Sequence, residues 1–299
     1  LFDRAAQIAT QANLPWAELD GKTVLVTGST GLIGSQIVRT LLSRNDCVDA
    51  GISVVLPVRN IKKAQALFGA TTIMQIVHGG EAVLRYAYSV DAKKVLFLST
   101  MEVYGEVEGV ATEDNLGKLD PMVVRNSYPE AKRLVECLCA SYATEHGVPS
   151  VVMRLAQTFG EGVHPDDMRV FADFGRHAID GKDIVLLSDG LKRNGYLSVD
   201  DSVRAILIAL VNGQSGEAYN AVNEDAYCSI REMAQLVLDQ FGAEGTQVRR
   251  EFDPEREATF RKASDLMLDS SKLKALGWEP NDSLSDMYRA MIDCWSVHD

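Results

Sequence analysis

Four stretches of this chain, KTVLVTG (22–28), ISVVLPVR (52–59), AKKVLFLST (92–100) and PSVVMRLA (149–156), are apolar along nearly their whole length. A strand with one face in water alternates apolar and polar residues, whereas a strand covered on both faces does not. Between these stretches lie segments with apolar residues at helical spacing, such as SQIVRTLLSR (35–44) and NIKKAQALF (60–68). Buried strands alternating with helices define an α/β chain with a doubly wound parallel sheet. After Phe159 the elements shorten: the loop GEGVHPDD, the helix MRVFADFGRHAIDG, the strand and turn DIVLLSDG, and the helix VDDSVRAILIALVNG. We expect one domain over residues 1–159 and a smaller carboxy-terminal α/β lobe over 160–299, with the segment around 193–213 returning to the first domain. Asp200 and Asp201 are expected to cap the helix that follows them.

One shortage stands out against this plan. Between the helix ending near Phe68 and the strand at Val95 the chain supplies only GATTIMQIVHGGEAVLRYAYSVDAK. That is enough for one helix and little else, where a doubly wound sheet needs further strand and helix units. The flanking strands read as fully buried and so need covering neighbours, which predicts that residues are missing around positions 70–80.

The chain has 299 residues, with 42 Asp and Glu against 30 Lys and Arg, a formal charge of −12. That balance argues against nucleic acid or an anionic membrane surface as a partner. No apolar run reaches the length of a membrane span and no signal-peptide pattern opens the chain; its start at Leu1 predicts that residues precede it. The five cysteines form no CxxC pair and show no metal-ligand spacing, so no metal is expected, and free thiols fit a cytoplasmic protein.

Chemistry begins at TGSTGLIG, which places Gly28, Gly31 and Gly34 between a strand and a helix. Glycines in that order allow a tight turn, backbone approach to a pyrophosphate, and close packing of helix on strand, the fingerprint of a Rossmann-type dinucleotide site. The first domain is therefore expected to bind a dinucleotide and the second lobe a substrate. Further on, RNSYPEAKRLVECL (125–138) sets Tyr128 and Lys132 four residues apart, on one face of a helix whose first turn accommodates Pro129.

With STMEVYG at 99–105 and YPEAK at 128–132 added to TGxxGxxG, the chain resembles the extended short-chain dehydrogenase/reductase family, and within it the nucleotide-sugar epimerases and dehydratases. The resemblance runs from about Lys22 to Pro280. It implies that Tyr128 is the catalytic acid/base and that Lys132 holds the nicotinamide ribose. It also implies that Thr100, three residues before Val103, hydrogen-bonds the reacting oxygen. Beside the three glycines, the expected cofactor contacts are Ser29, Thr30, Leu32, Ile33 and Ser99, together with Tyr128 and Lys132. An ammonium about 5 Å from a phenol favours the phenolate by roughly 3 kcal/mol at an effective dielectric of about 20, which predicts a Tyr128 pKa below its ordinary value.

Glu102 stands where dehydratases and decarboxylases also keep a Glu and is a further catalytic candidate. The dehydratase pattern has an Asp just before it; here Met101 fills that position, and a thioether cannot donate the proton that expels water. NAD-preferring relatives end the second strand with an acidic residue for the ribose 2′-hydroxyl; this chain has Pro57 and then Arg59, which favours NADP over NAD. Arg193 and Arg261 match positions where relatives hold a nucleotide diphosphate, which suits a forked guanidinium. His164 is read as a loop histidine without a partner.

The expected activity is epimerisation of a nucleoside-diphosphate sugar through a transient keto intermediate. The alternatives are an NADPH-dependent keto-sugar reductase, a UDP-uronic acid decarboxylase and, outside catalysis, a cofactor-sensing regulator. The resemblance also implies a homodimer built on the helix that carries Tyr128 and Lys132; Leu134, Leu138 and Tyr142 are compatible with such a face and would equally suit burial within one chain.

Overall fold

The computed structural model describes residues 2–69, 72–75, 79–251 and 265–296. Helices α1 (Phe2–Ala9) and α2 (Trp16–Leu19) lead into β1 (Thr23–Leu25), α3 (Leu32–Val48), β2 (Ser53–Val58), α4 (Ile61–Phe68), β3 (Thr72–Gln75), α5 (Gly80–Ser89) and β4 (Val95–Thr100). A 3-10 turn at Met101–Tyr104 and β5 (Val110–Ala111) precede α6 (Ser127–Glu145), β6 (Ser150–Leu155) and β7 (Gln157–Phe159). The remainder comprises α7 (Val170–Ile179), β8 (Ile184–Leu186), β9 (Arg193–Ser198), α8 (Val199–Asn212), β10 (Ala218–Ala221), β11 (Asn223–Ser229), α9 (Ile230–Phe241), β12 (Val248–Arg250) and β13 (Met267–Leu268), and then the helix Leu284–Ser296.

The apolar stretches are strands, and they pair in parallel as their composition requires. They do so in two pieces, ordered β1-β2-β3 and β10-β6-β4. Val24 lies opposite Val54 in the first, and in the second Phe97 lies opposite Val152 and Met153 opposite Tyr219. Among the described residues β1 and β4 share no ladder. Their burial shows the consequence: β6 is buried at every position, β1 at none, and β4 only at Ser99. Of the strands flanking the 69–93 segment, β2 is buried at Val54, Leu56, Pro57 and Val58, whereas β4 is buried only at Ser99, so the expectation of full burial is corrected for β4. Among the described residues β4 has β6 on one side and no ladder partner on the other.

One apolar core nevertheless spans both pieces, with Val54 and Leu56 of β2, Val151 and Met153 of β6, and Val203 and Ile206 of α8 in a single cluster. A second cluster gathers Phe159, Phe171, Tyr196, Val237 and Met291 around the shorter elements, where β9 pairs in parallel with β7 and antiparallel with β11. A third, smaller one joins Leu84 of α5 to Cys139 of α6 and Val152 of β6.

Ser198, not an aspartate, caps α8: its hydroxyl accepts the Asp201 N–H at 2.8 Å. Asp200 instead pairs with Arg4 of α1 at 2.9 Å. Asp201 is wholly buried and its carboxylate accepts the N–H groups of Asn281 (2.8 Å) and Asp282 (3.1 Å) and an ion pair from Arg204. A short polar side chain in the first helical turn can satisfy orphan amides anywhere within reach, and here those amides belong to the segment before the last helix.

Candidate active site

The glycine loop follows β1 and opens α3. Gly28 adopts φ +63°, a left-handed conformation that favours glycine. Gly34 is needed for another reason: a Cβ there would sit 2.3 Å from the Gly28 carbonyl oxygen and 2.8 Å from its carbon. The loop thus folds onto the first turn of the helix. No side chain caps α3 at Gly31, so its first amides remain available, and a helix amino terminus attracts an anion. Ser29 is completely buried and its hydroxyl has no partner among the described residues. A cradle that any side chain would fill, uncapped amides and an unsatisfied buried hydroxyl fit the pyrophosphate of a dinucleotide. Gly28, Ser29, Thr30, Gly31, Leu32, Ile33 and Gly34 would hold it.

The second half of the site is built by β4 and α6. Tyr128 occupies the first turn of α6 and is half exposed, while Thr100 ends β4. Burial holds the Tyr128 phenol above its ordinary pKa, a hydrogen bond from the Thr100 hydroxyl lowers it, and the Glu102 carboxylate raises it again. Lys132, one turn on, keeps its ammonium 5.9 Å from the Tyr128 ring centre and 4.8 Å from that of Phe97. It donates to the Leu98 carbonyl at 2.7 Å.

The structure thus brings Thr100, Tyr128 and Lys132 together, with the Glu102 carboxylate in electrostatic reach of the phenol. It corrects the expected lowering of the Tyr128 pKa. The Lys132 charge is spent on the Leu98 carbonyl rather than on the phenol, and partial burial, which disfavours the phenolate, is the largest influence. Burial lowers the Lys132 pKa too, against a raising influence from Glu136.

Other expected contacts are placed differently. Arg59 is exposed just past β2, followed by Asn60, which caps α4 by accepting the Lys63 N–H at 3.0 Å. Arg193, at the start of β9, forms a 2.9 Å ion pair with Glu232 and donates to the Tyr227 carbonyl at 3.2 Å. A phosphate would have to compete with that carboxylate. Arg261 lies outside the described residues. His164 does have a partner, Asp166, whose N–H it accepts at 3.2 Å. Met101 packs against the main core.

Sequence reasoning missed a polar network behind the site. Ser99 donates to Glu136, Glu136 pairs with Arg154 at 2.8 Å, and Arg154 donates to the Tyr104 hydroxyl at 3.0 Å, which donates to Asn220 at 2.6 Å. The one sequence signal was Glu136 four residues after Lys132, which extends the Tyr128–Lys132 stripe.

The model of the NAD dependent epimerase/dehydratase family matches residues 47–223, and the chain belongs to this family. The low-salt glycan biosynthesis protein Agl12 of Haloferax volcanii is 31 % identical over 218 residues, which cover 73 % of this chain and 66 % of that protein. A dTDP-glucose 4,6-dehydratase of Streptomyces griseus is 26 % identical over 322 residues, covering 92 % of this chain and 94 % of the relative. Those aligned positions outnumber the residues of this chain they cover, so the relative carries residues that this chain lacks. A UDP-glucuronic acid 4-epimerase from Bacillus cereus, solved with UDP-glucuronic acid and NAD, matches with a TM-score of 0.74 at 21 % identity, covering 93 % of this chain and 100 % of its own. At that identity the likeness is one of fold. The chain spans 43 % and 47 % of the length of the UDP-glucuronic acid decarboxylases 1 of Xenopus tropicalis and Danio rerio. Among the described residues no helix is long and apolar enough to cross a membrane.

Proposed function

We propose that this protein oxidises a hydroxyl of a nucleoside-diphosphate sugar to a transient ketone and reduces it again from the other face, a net epimerisation. The observation that carries this reading is the convergence of the Tyr128 phenol, whose pKa the Thr100 hydroxyl lowers, with the Lys132 ammonium 5.9 Å from the Tyr128 ring centre. When bound, the nicotinamide supplies the acceptor and then the donor of hydride. Tyr128 takes the hydroxyl proton and returns it, Thr100 holds the reacting oxygen in line, and Lys132 holds the nicotinamide ribose. Arg193 and Arg261 are proposed for the diphosphate.

Glu102 favours a second reading, decarboxylation of a UDP-uronic acid, because its carboxylate lies in electrostatic reach of the Tyr128 phenol, whose pKa it raises. Incubation with NAD or NADP and UDP-glucuronic acid, UDP-glucose or dTDP-glucose, followed by chromatography with mass detection, separates the readings. A product of unchanged mass supports epimerisation, loss of carbon dioxide supports decarboxylation, and loss of water contradicts the reading of Met101. Cofactor binding with no turnover of any of the three overturns catalysis on these sugars and favours a sensing role.

For the cofactor itself, NADP is proposed over NAD because the end of β2 offers an exposed Arg59 and no carboxylate. Residues 1–159 are read as the cofactor domain and 160–299 as mainly the substrate lobe; Val203 and Ile206, within the returning segment, pack in the core of the first. A homodimer is proposed on α5 and α6, whose outer surface exposes Tyr86, Tyr88 and Leu134. Leu138 and Tyr142, compatible with that face or with burial, pack inward against the third cluster.

A further inference from the structure

The polar stripe of α6 does not stop at Lys132. Tyr128, Lys132 and Glu136 follow one another at four-residue spacing; Lys132 donates to the Leu98 carbonyl of β4 and Glu136 accepts from Ser99, while the Thr100 hydroxyl acts on the Tyr128 phenol. Two hydrogen bonds therefore fasten the end of β4 to one face of the helix. The one at Glu136 is the more buried. The Glu136 side chain is 11 % exposed and that of Arg154 is 7 %. Arg154 reaches Glu136 with both Nε (3.2 Å) and a terminal nitrogen (2.8 Å), so the carboxylate accepts from Ser99 and Arg154 at once.

We propose that Glu136 is a positioning residue for the site: it anchors Ser99, and with it the placement of Thr100, and it stands one helical turn beyond Lys132, the residue that binds the cofactor. The inference rests on the reading of Lys132 under Proposed function. Burial alone would favour the neutral amine of Lys132, and Glu136 is the group that opposes it. The groups around the pair are few. Lys132 is faced by Tyr128 and Glu136 on its own helix and by the Phe97 ring and Leu98 carbonyl of β4. Glu136 is faced by Arg154 of β6 and by the Cys139 thiol, which burial and Glu136 push up to about 11. Tyr104 meets Arg154 from the 3-10 turn, and on α5, which packs against α6, Glu81 and Arg85 are exposed.

The test is NAD affinity by titration calorimetry from neutral to strongly alkaline pH. In the parent, affinity falls as Lys132 loses its proton. Glu136→Gln keeps the side-chain shape and removes the charge, so that fall moves to lower pH. Glu136→Asp keeps the charge and restores most of the parent profile. Arg154→Lys loosens the same network without removing Glu136, so it lowers the melting temperature and leaves the profile in place. A Glu136→Gln profile that coincides with the parent, while Lys132→Ala still weakens binding, overturns the positioning role alone. Lys132→Ala with undiminished affinity at all pH values overturns the reading of Lys132 and the inference built on it.

Discussion

Replacing Gly34 by Ala sets two effects of known size against each other. In an ordinary helix the change is favourable by about 1 kcal/mol, since alanine loses less freedom on folding. Here the new methyl would lie 2.3 Å from the Gly28 oxygen, 2.8 Å from its carbon and 3.0 Å from the Ser29 Cα. An ordinary carbon–oxygen contact is about 3.3 Å, so the loop must retreat by roughly an ångström. All three atoms are backbone, and none can rotate away. Overpacking of this kind costs about 1–3 kcal/mol, which cancels the helix gain and leaves a net loss of up to about 2 kcal/mol. The retreat also displaces the Gly28–Ser29 amides from where a pyrophosphate would sit. Losing one charge-assisted contact there costs about 1.5–3 kcal/mol, tenfold or more in affinity. Calorimetric titration with NAD and a thermal melt therefore show at least about tenfold weaker binding and a lower melting temperature for Gly34→Ala. Gly31→Ala serves as the control, since its methyl would meet only the Gly28 oxygen, at 3.3 Å, and its loss is smaller. A Gly34→Ala protein that melts higher than the parent and binds NAD equally well refutes the reasoning.

Four further outcomes are expected. Tyr128→Phe removes only the ionisable oxygen, so it lowers turnover by about 100-fold or more with folding and NAD affinity unchanged; near-normal turnover rules out the acid/base role. Because burial and Glu102 both hold the Tyr128 phenol above its ordinary value, turnover rises with pH as the phenol loses its proton, and Glu102→Gln moves that rise to lower pH; an unmoved pH profile shows that Glu102 does not act on Tyr128. Arg59→Ala narrows a preference for NADP over NAD in paired titrations, and equal affinities in the parent would remove the basis of that proposal. Asp201→Ala leaves Arg204 buried without its charge partner, a loss of about 3–5 kcal/mol read as a lower midpoint in urea, with light scattering on the parent testing the homodimer in the same preparation.

What the sequence made legible was local. Strand and helix identity follow from periodicity within a dozen residues, and the glycine loop from three residues of which Gly28 and Gly34 hold backbone roles that favour glycine alone. The Tyr128–Lys132 face follows from helical geometry alone. The sequence even betrayed the shortage between Phe68 and Val95 by simple counting. It misjudged burial there, because the apolarity of Val95–Leu98 records the neighbours a strand is suited to, whereas exposure records the neighbours it has. The groups it missed are joined across the fold: Glu136 with Ser99 and Arg154, and Asp201 with Asn281 and Asp282. Such partners lie tens of residues apart, and no periodicity connects them. The tyrosine pKa was misjudged for a related reason. Spacing placed Lys132 near Tyr128 but could not show that the Leu98 carbonyl would claim the ammonium.

The break between β1 and β4 also governs how rigidly the two halves of the site are coupled. The glycine loop hangs from the first piece of sheet, and Thr100 with Tyr128 from the second. In an unbroken sheet a ladder of hydrogen bonds would set the separation of those halves in fixed steps, because backbone pairing is directional. Among the described residues the two pieces share no ladder and meet in one apolar cluster, Val54 and Leu56 on one side and Val151 and Met153 on the other, with α8 beneath. Apolar contact resists separation strongly and sliding weakly, since it has no preferred register. The proposed pyrophosphate cradle and proton-transfer site thus ride on two plates held by a greasy joint, and a bound dinucleotide reaching from one to the other would act as the strut that sets their spacing.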